Sequence, residues 1–227
     1  MAAEKNITGQ YVQTANTTEL ATIDLGPNVV GVIKYFYIST NNPAGALFRV
    51  TADAVPTLGG AGRFYASPVN TVSAIVVDNE RQVIISEDGA GNAARYINIS
   101  IFQAAGFTTN WALSYVEIPT IQPSPASTFK NKITQFSNTP VAGILAATTP
   151  GSCIIKSIYV TRTTATPISF RVLVDSITYS DYSAPLGSGT VGFDMPIYLQ
   201  NGDNLLLEVD ILNASNNIAY VSYTTNT

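Results

Sequence analysis

The chain of 227 residues contains no histidine. That absence removes Ser-His-Asp and Cys-His arrangements, His-containing zinc sites and the commonest general base. Cysteine occurs once, at Cys153, so no internal disulfide can form and the fold requires no oxidising compartment. Charge is scarce too: 11% of residues are charged, against a usual ~25% for soluble proteins. The net charge is −4 and the isoelectric point about 4.7, and the 11 basic residues are scattered, with Lys130 and Lys132 the densest pair. Nucleic-acid binding, which needs a basic stripe, is therefore not expected. No apolar run approaches the roughly 18 residues of a spanning helix, so no membrane association is expected. The opening MAAEKNITGQ has Glu4 and polar residues where a secretory leader needs an apolar stretch.

What the chain does have is hydrophobic residues at 46%, with a polar remainder of Thr, Ser, Asn and Gln. This mix suits short strands joined by many turns. It suits equally a surface that meets other protein more than bulk water.

The chain also repeats itself. Gly31 to Val50 reads GVIKYFYISTNNPAGALFRV, and Cys153 to Val172 reads CIIKSIYVTRTTATPISFRV. Ile33-Lys34 falls on Ile155-Lys156, Tyr37 on Tyr159 and Phe48-Arg49-Val50 on Phe170-Arg171-Val172. At the same offset Gln13, Asn16 and Thr17 meet Gln135, Asn138 and Thr139, and Asp53 meets Asp175. A repeat of this length reads as one domain used twice. Keeping the offset to the end leaves Trp111 to Ile118 without a counterpart. Allowing an insertion aligns Ser114-Tyr115 with Ser222-Tyr223 and is preferred. The expected division is residues 1–118 with residues 1–10 as an N-terminal arm, a Pro-rich linker at 119–127, and a second copy at 128–227.

No segment keeps the i, i+3, i+4 spacing of a helix. Short strands recur about every 8–12 residues between Gly, Pro and Asn turns, which predicts an all-β chain of two tandem antiparallel β-sandwiches of jelly-roll type. Val29 to Ser39 is the most strand-like run of the first copy. Period-2 alternation places Val32, Phe36 and Ile38 on one core-facing side, and Ile154, Ile158 and Val160 likewise in the second. Lys34 and Lys156 have that same parity and are expected to snorkel out.

Candidate chemistry is thin. Cys153 opens an apolar strand at the place of Gly31 and reads as a buried, inert thiol. Glu87, Asp88 and Asn92, or Gln200, Asn201 and Asp203, could offer oxygen ligands to calcium, but without EF-hand spacing they read as solvated turns, and no cofactor is expected. The repeated charges Lys34, Arg49 and Asp53, and Lys156, Arg171 and Asp175, predict a cross-strand ion pair in each copy, through a hairpin turning at Asn42 to Gly45. A contact to a neighbouring copy is the alternative. Trp111, Tyr115, Tyr179, Tyr182, Tyr220 and Tyr223 could stack on sugars, Trp111 and Tyr115 foremost, or simply pack across strands.

V-V-G-V-I-K-x-x-Y-I-S followed by F-R-V, then Ile197-Tyr-Leu-Gln-Asn-Gly-Asp203 and a closing V-S-Y strand, resembles the small β-sandwich repeats of tailed-bacteriophage virion proteins. The resemblance implies a non-enzymatic protein of the virion, either a capsid decoration (cement) protein or a neck, tail or fibre accessory. Its implied partners are other virion proteins and copies of itself, commonly as trimers or rings. The first copy departs from the pattern, having Glu87-Asp88-Gly89 where the second has Gly202-Asp203. A host-attachment module that binds carbohydrate is the alternative.

Overall fold

The computed structural model describes residues 4–57, 62–68, 70–119, 127–136, 141–146, 152–162, 169–175, 177–183, 190–193, 196–200, 202–209 and 217–226. Among them every regular element is a β-strand. The first nine are β1 (Glu4–Val12), β2 (Glu19–Asp24), β3 (Val29–Thr40), β4 (Leu47–Asp53), β5 (Arg63–Ala66), β6 (Ser73–Val77), β7 (Val83–Ile85), β8 (Tyr96–Phe102) and β9 (Thr108–Pro119). The second nine are β10 (Ser127–Phe136), β11 (Val141–Ala146), β12 (Ser152–Arg162), β13 (Ser169–Val174), β14 (Ile177–Ser183), β15 (Thr190–Phe193), β16 (Ile197–Leu199), β17 (Asn204–Val209) and β18 (Asn217–Asn226).

Four antiparallel sheets result. In the first unit one sheet runs β1-β9-β3-β6, with β7 also on β3, and the other runs β2-β8-β4-β5. In the second unit the orders are β10-β18-β12-β15, with β16 also on β12, and β11-β17-β13-β14. Counted from the start of each unit, the two orders are the same. The chain passes from sheet to sheet between most successive strands, which is the jelly-roll path.

Two boundaries differ from the sequence reading. Residues 4–12 are no free arm: β1 pairs with β9 at nine successive positions, from Glu4↔Val116 to Val12↔Thr108. Its apolar content is only Ile7, Gly9 and Tyr11 on the half-buried side, too sparse to read as a strand alone. The proposed linker also gives up both ends, since β9 continues through Pro119 and β10 starts at Ser127. The rest of that linker, with Asn138, Thr139 and Asn201, lies outside the described residues, as do the side chains of Tyr179 and Tyr182.

The long repeated strand holds the main correction. Ile33 pairs with Tyr115 and Tyr35 with Ser114, so Lys34 is the extra residue of a β-bulge. Ile155 pairs with Tyr223 and Ser157 with Ser222, which makes Lys156 the extra residue of the same bulge in the second unit. One inserted residue reverses the inward parity of everything beyond it. The inward set is therefore Ile33, Phe36 and Ile38, with Val32 on the opposite side. In the second unit it is Cys153, Ile155, Ile158 and Val160, without Ile154. Gly31 confirms the direction, because a Cβ there would come 2.8 Å from Cδ1 of the core residue Leu25.

Each unit fills the space between its sheets with aliphatic and aromatic side chains. Phe36, Phe48, Phe64, Ile97, Ile99 and Leu113 are central in the first, and Ile155, Val172, Leu199, Leu205 and Val221 in the second. The first cluster also takes in Tyr159 and Tyr220 from the second unit. The two jelly rolls are thus packed into one body.

Candidate functional site

Strand β7 is the edge of its sheet, and an edge leaves backbone groups without a ladder partner. Here the outward face of β10, β18 and β12 supplies the partners from side chains. The Ile84 N–H donates to Ser222 Oγ at 2.9 Å, and Tyr220 OH donates to the Ile84 carbonyl at 2.6 Å. Tyr159 OH donates to the Arg81 carbonyl at 2.7 Å and Ser157 Oγ to the Gln82 carbonyl at 2.5 Å. Asn131 closes the row. Its Oδ1 accepts from the N–H groups of Ser86 and Glu87, both at 2.8 Å, and its Nδ2 donates to the Glu87 carbonyl at 2.9 Å.

The alternation of β12 and β18 makes this possible. One parity of each strand builds the second unit's own core. The other parity presents Ser157, Tyr159, Ser222 and Tyr220, each no more than 3% exposed. Tyr220 also meets Phe64 edge to face, with ring centroids 5.5 Å apart. Burial holds the Tyr220 hydroxyl well above the ordinary tyrosine range. Small hydroxyl and amide groups suit such a junction, since each can meet a backbone dipole without burying a net charge.

The corresponding face of the first unit is uncovered, with its outer strands exposed and Tyr37, Ser39 and Ala112 half-buried between them. Across β1, β9, β3 and β6 one row reads Thr8, Ala112, Tyr37 and Ile75. The next reads Gln10, Asn110, Ser39 and Ser73. Neither row carries a charge, and Ile75 is 58% exposed. A shallow depression of about 540 Å³ lies over Tyr37, Ser39 and Trp111.

Among the described residues the predicted ion pairs do not form. Strands β3 and β4 lie in different sheets, so the turn at Asn42 to Gly45 joins no hairpin and leaves Lys34 apart from Asp53. Lys34 Nζ instead donates to Gln82 Oε1 at 2.9 Å. Asp53 is buried and accepts from Thr51 Oγ1 and, at 2.8 Å, from Asn98 Nδ2. Burial pushes its carboxyl up from the usual range despite those bonds. Arg49 lies on β4, where its charge lowers the affinity of nearby, buried Arg63 for its proton, after desolvation of Arg63 itself. Arg171 pairs with Glu208 on β17 at 2.9 Å, in an exposed setting. Asp175 takes a left-handed turn conformation and accepts from the Asn204 N–H. Lys156 stays exposed on its bulge.

Tyr115 is 3% exposed, inside the core, so it offers no ring to a sugar. Trp111 packs partly against that core and lies over Gly9, where a Cβ would come within 2.2 Å of Cζ2. Cys153 is buried, which pushes its thiol up and away from nucleophilic use. Asp88 spends its carboxylate on its own turn, accepting from the N–H groups of Ala90 and Asn92. Among the described residues no group of three or more Cys, Asp or Glu could hold a metal ion.

No family model matches the chain, and no curated protein matches it. Among solved structures it is similar to the major capsid protein P2 of bacteriophage PM2, at 14% identity and a TM-score of 0.43, over 100% of this chain and 98% of that one. It is similar to the STIV MCP at 14% identity and a TM-score of 0.41, over 97% and 96% of the two chains. A peptide:N-glycanase F matches at 10% identity and a TM-score of 0.41, over 99% and 95%. These are distant likenesses of shape.

The junction was invisible to sequence reasoning. Its one legible trace is Tyr159, Tyr220 and Ser222 on strands whose other parity is already apolar, a pattern that asks for burial on both sides.

Proposed function

We propose that this chain is a non-enzymatic structural protein of a virus particle, acting through protein–protein contacts. The observation that carries the reading is the solvent-facing side of β1, β9, β3 and β6, whose two central rows carry no charge and whose one acidic group, Glu4, already accepts from Ser114 Oγ. Tyr, Ser, Asn and Gln on a flat sheet supply contact area and adaptable hydrogen bonds with little desolvation of charge. The inner junction displays the same chemistry already in use, with side chains of one sheet receiving another's edge. A capsid decoration or neck and tail role, with copies associating into a trimer or ring, belongs to this proposal, as does an internal duplication with limits near 118 and 128.

Rebinding tests it. Purified protein is mixed with particles stripped of it: it should rebind and raise the particle's melting temperature. Absence of rebinding and of any thermal gain overturns the reading. Among the described residues the carbohydrate alternative keeps Trp111 with the depression beside it and Tyr223 at the rim of another. Glycan binding abolished by Trp111→Ala would favour it over the structural role.

A further inference from the structure

The chain carries an unused copy of each half of its own inner junction. Registers counted from the two bulges set the correspondence. The Tyr35↔Ser114 pair sits where the second unit has Ser157↔Ser222, and Tyr37↔Ala112 sits where it has Tyr159↔Tyr220. On the donor side, Val32↔Ile84 corresponds to Ile154↔Tyr198. In the first unit the donor edge at Ile84 is buried, at 1% exposure, because the second unit covers it. In the second unit the same edge is open, and Tyr198 is 66% exposed. The receiving face is closed in the second unit and open in the first, where Tyr35 is 37% exposed.

We propose that the exposed face of β9 and β3 receives the Tyr198 edge of a second copy of this chain, repeating the inner junction between molecules. This rests on the reading of the chain as an assembling structural protein, and it names the surface and its occupant. Ser114 Oγ takes the part of Ser222 Oγ and accepts from the Tyr198 N–H. Tyr37 takes the part of Tyr159. At the inner junction a large receiver, Tyr220, meets Ile84; at the outer one a small receiver, Ala112, leaves room for the larger Tyr198. Asn6 corresponds to Asn131 by its pairing with Ser114, but it has less to hold, because the Gln200 N–H already donates to Asp203 at 2.7 Å. The contact joins unlike surfaces, so each junction leaves a free face and a free edge, and growth continues until a ring closes.

Two single variants test this, Tyr37→Glu on the face and Tyr198→Asp on the edge. Wild-type chain should sediment as species larger than a monomer. Each variant alone should stay monomeric, with self-association weakened at least tenfold. Mixed in equal amounts, they should form a two-chain complex and nothing larger, because only one intact face and one intact edge can meet. Ala112→Glu and Tyr198→Gly form a second pair should either first variant fail to fold, judged by near-ultraviolet circular dichroism. Variants that associate like wild type, or a mixture that stays monomeric while wild type assembles, overturn the inference. A monomeric wild type that still rebinds stripped particles overturns it and leaves the structural role standing. A monomeric wild type that does not rebind overturns both.

Discussion

Asn131 and Asn6 are the same residue type at matching register positions, yet the same change should destabilise strongly at Asn131 and hardly at all at Asn6. Asn131→Ala removes the side chain that meets Ser86 N–H, Glu87 N–H and the Glu87 carbonyl, at a site 2% exposed. A buried backbone group left without a partner costs about 1–3 kcal/mol. Three groups are orphaned together, but they sit at the rim of the junction, where water can replace part of the loss. The expected destabilisation is therefore about 2–4 kcal/mol. For a chain of this size it lowers the melting temperature by roughly 4–16 °C. Asn6→Ala, on an exposed strand, should change stability by less than about 0.5 kcal/mol. Urea unfolding of dilute protein, followed by Trp111 fluorescence in the first unit and by far-ultraviolet circular dichroism of both, reads the difference. The two probes should shift together for Asn131→Ala. Equal effects of the two substitutions would refute the junction as a source of stability. So would loss of the second unit's signal alone, with Trp111 unmoved.

Three further outcomes follow from the same geometry. Asp53→Asn keeps an acceptor for Thr51 and Asn98 and removes a carboxylate whose folded affinity for protons is raised by burial. Because that carboxyl holds its proton more tightly when folded, wild-type stability should rise as pH falls through its titration, and calorimetry should show the variant lacking that rise. At the alkaline end, burial pushes Tyr65 up to about 12 and Tyr159 and Tyr220 up as well. Above the unfolded tyrosine value near ~10, stability should fall by up to about 1.4 kcal/mol per pH unit for each such group, and tyrosinate absorbance should appear together with unfolding. Lys34→Ala should change stability by less than about 1 kcal/mol, and a chain with Lys34 deleted should still fold in an expression and melting assay, because the unbulged strand keeps Tyr35 opposite Ser114 and leaves Phe36 and Ile38 facing inward.

Sheet character, the jelly-roll class and most first-unit strands were legible because β-branched and aromatic runs alternate cleanly between turn residues. Arg63–Ala66 and Ser73–Val77 need no adjustment. The sequence reading erred where pairing depends on what lies far away in the chain. The Ile-Lys of the repeat looks like a strand interior, yet its lysine is a bulge, and nothing local distinguishes the two. The repeated charges looked like partners because a turn joins their strands. A jelly roll sends those strands to different sheets, so Asp53 finds Asn98 on β8 instead. The exposed face was hidden for a similar reason: Thr8, Ala112, Tyr37 and Ile75 come from four separated segments, and only the register brings them into one row.

The proposed structural role requires this body to be a repeated component of a particle. Electron cryo-microscopy of purified particles from the source tests that most directly. The expected result is density for the two-jelly-roll body at regular, stoichiometric positions, with the face of β1, β9, β3 and β6 covered by protein. Particles that lack the chain, or a chain bound sparsely with that face open to solvent, would contradict it.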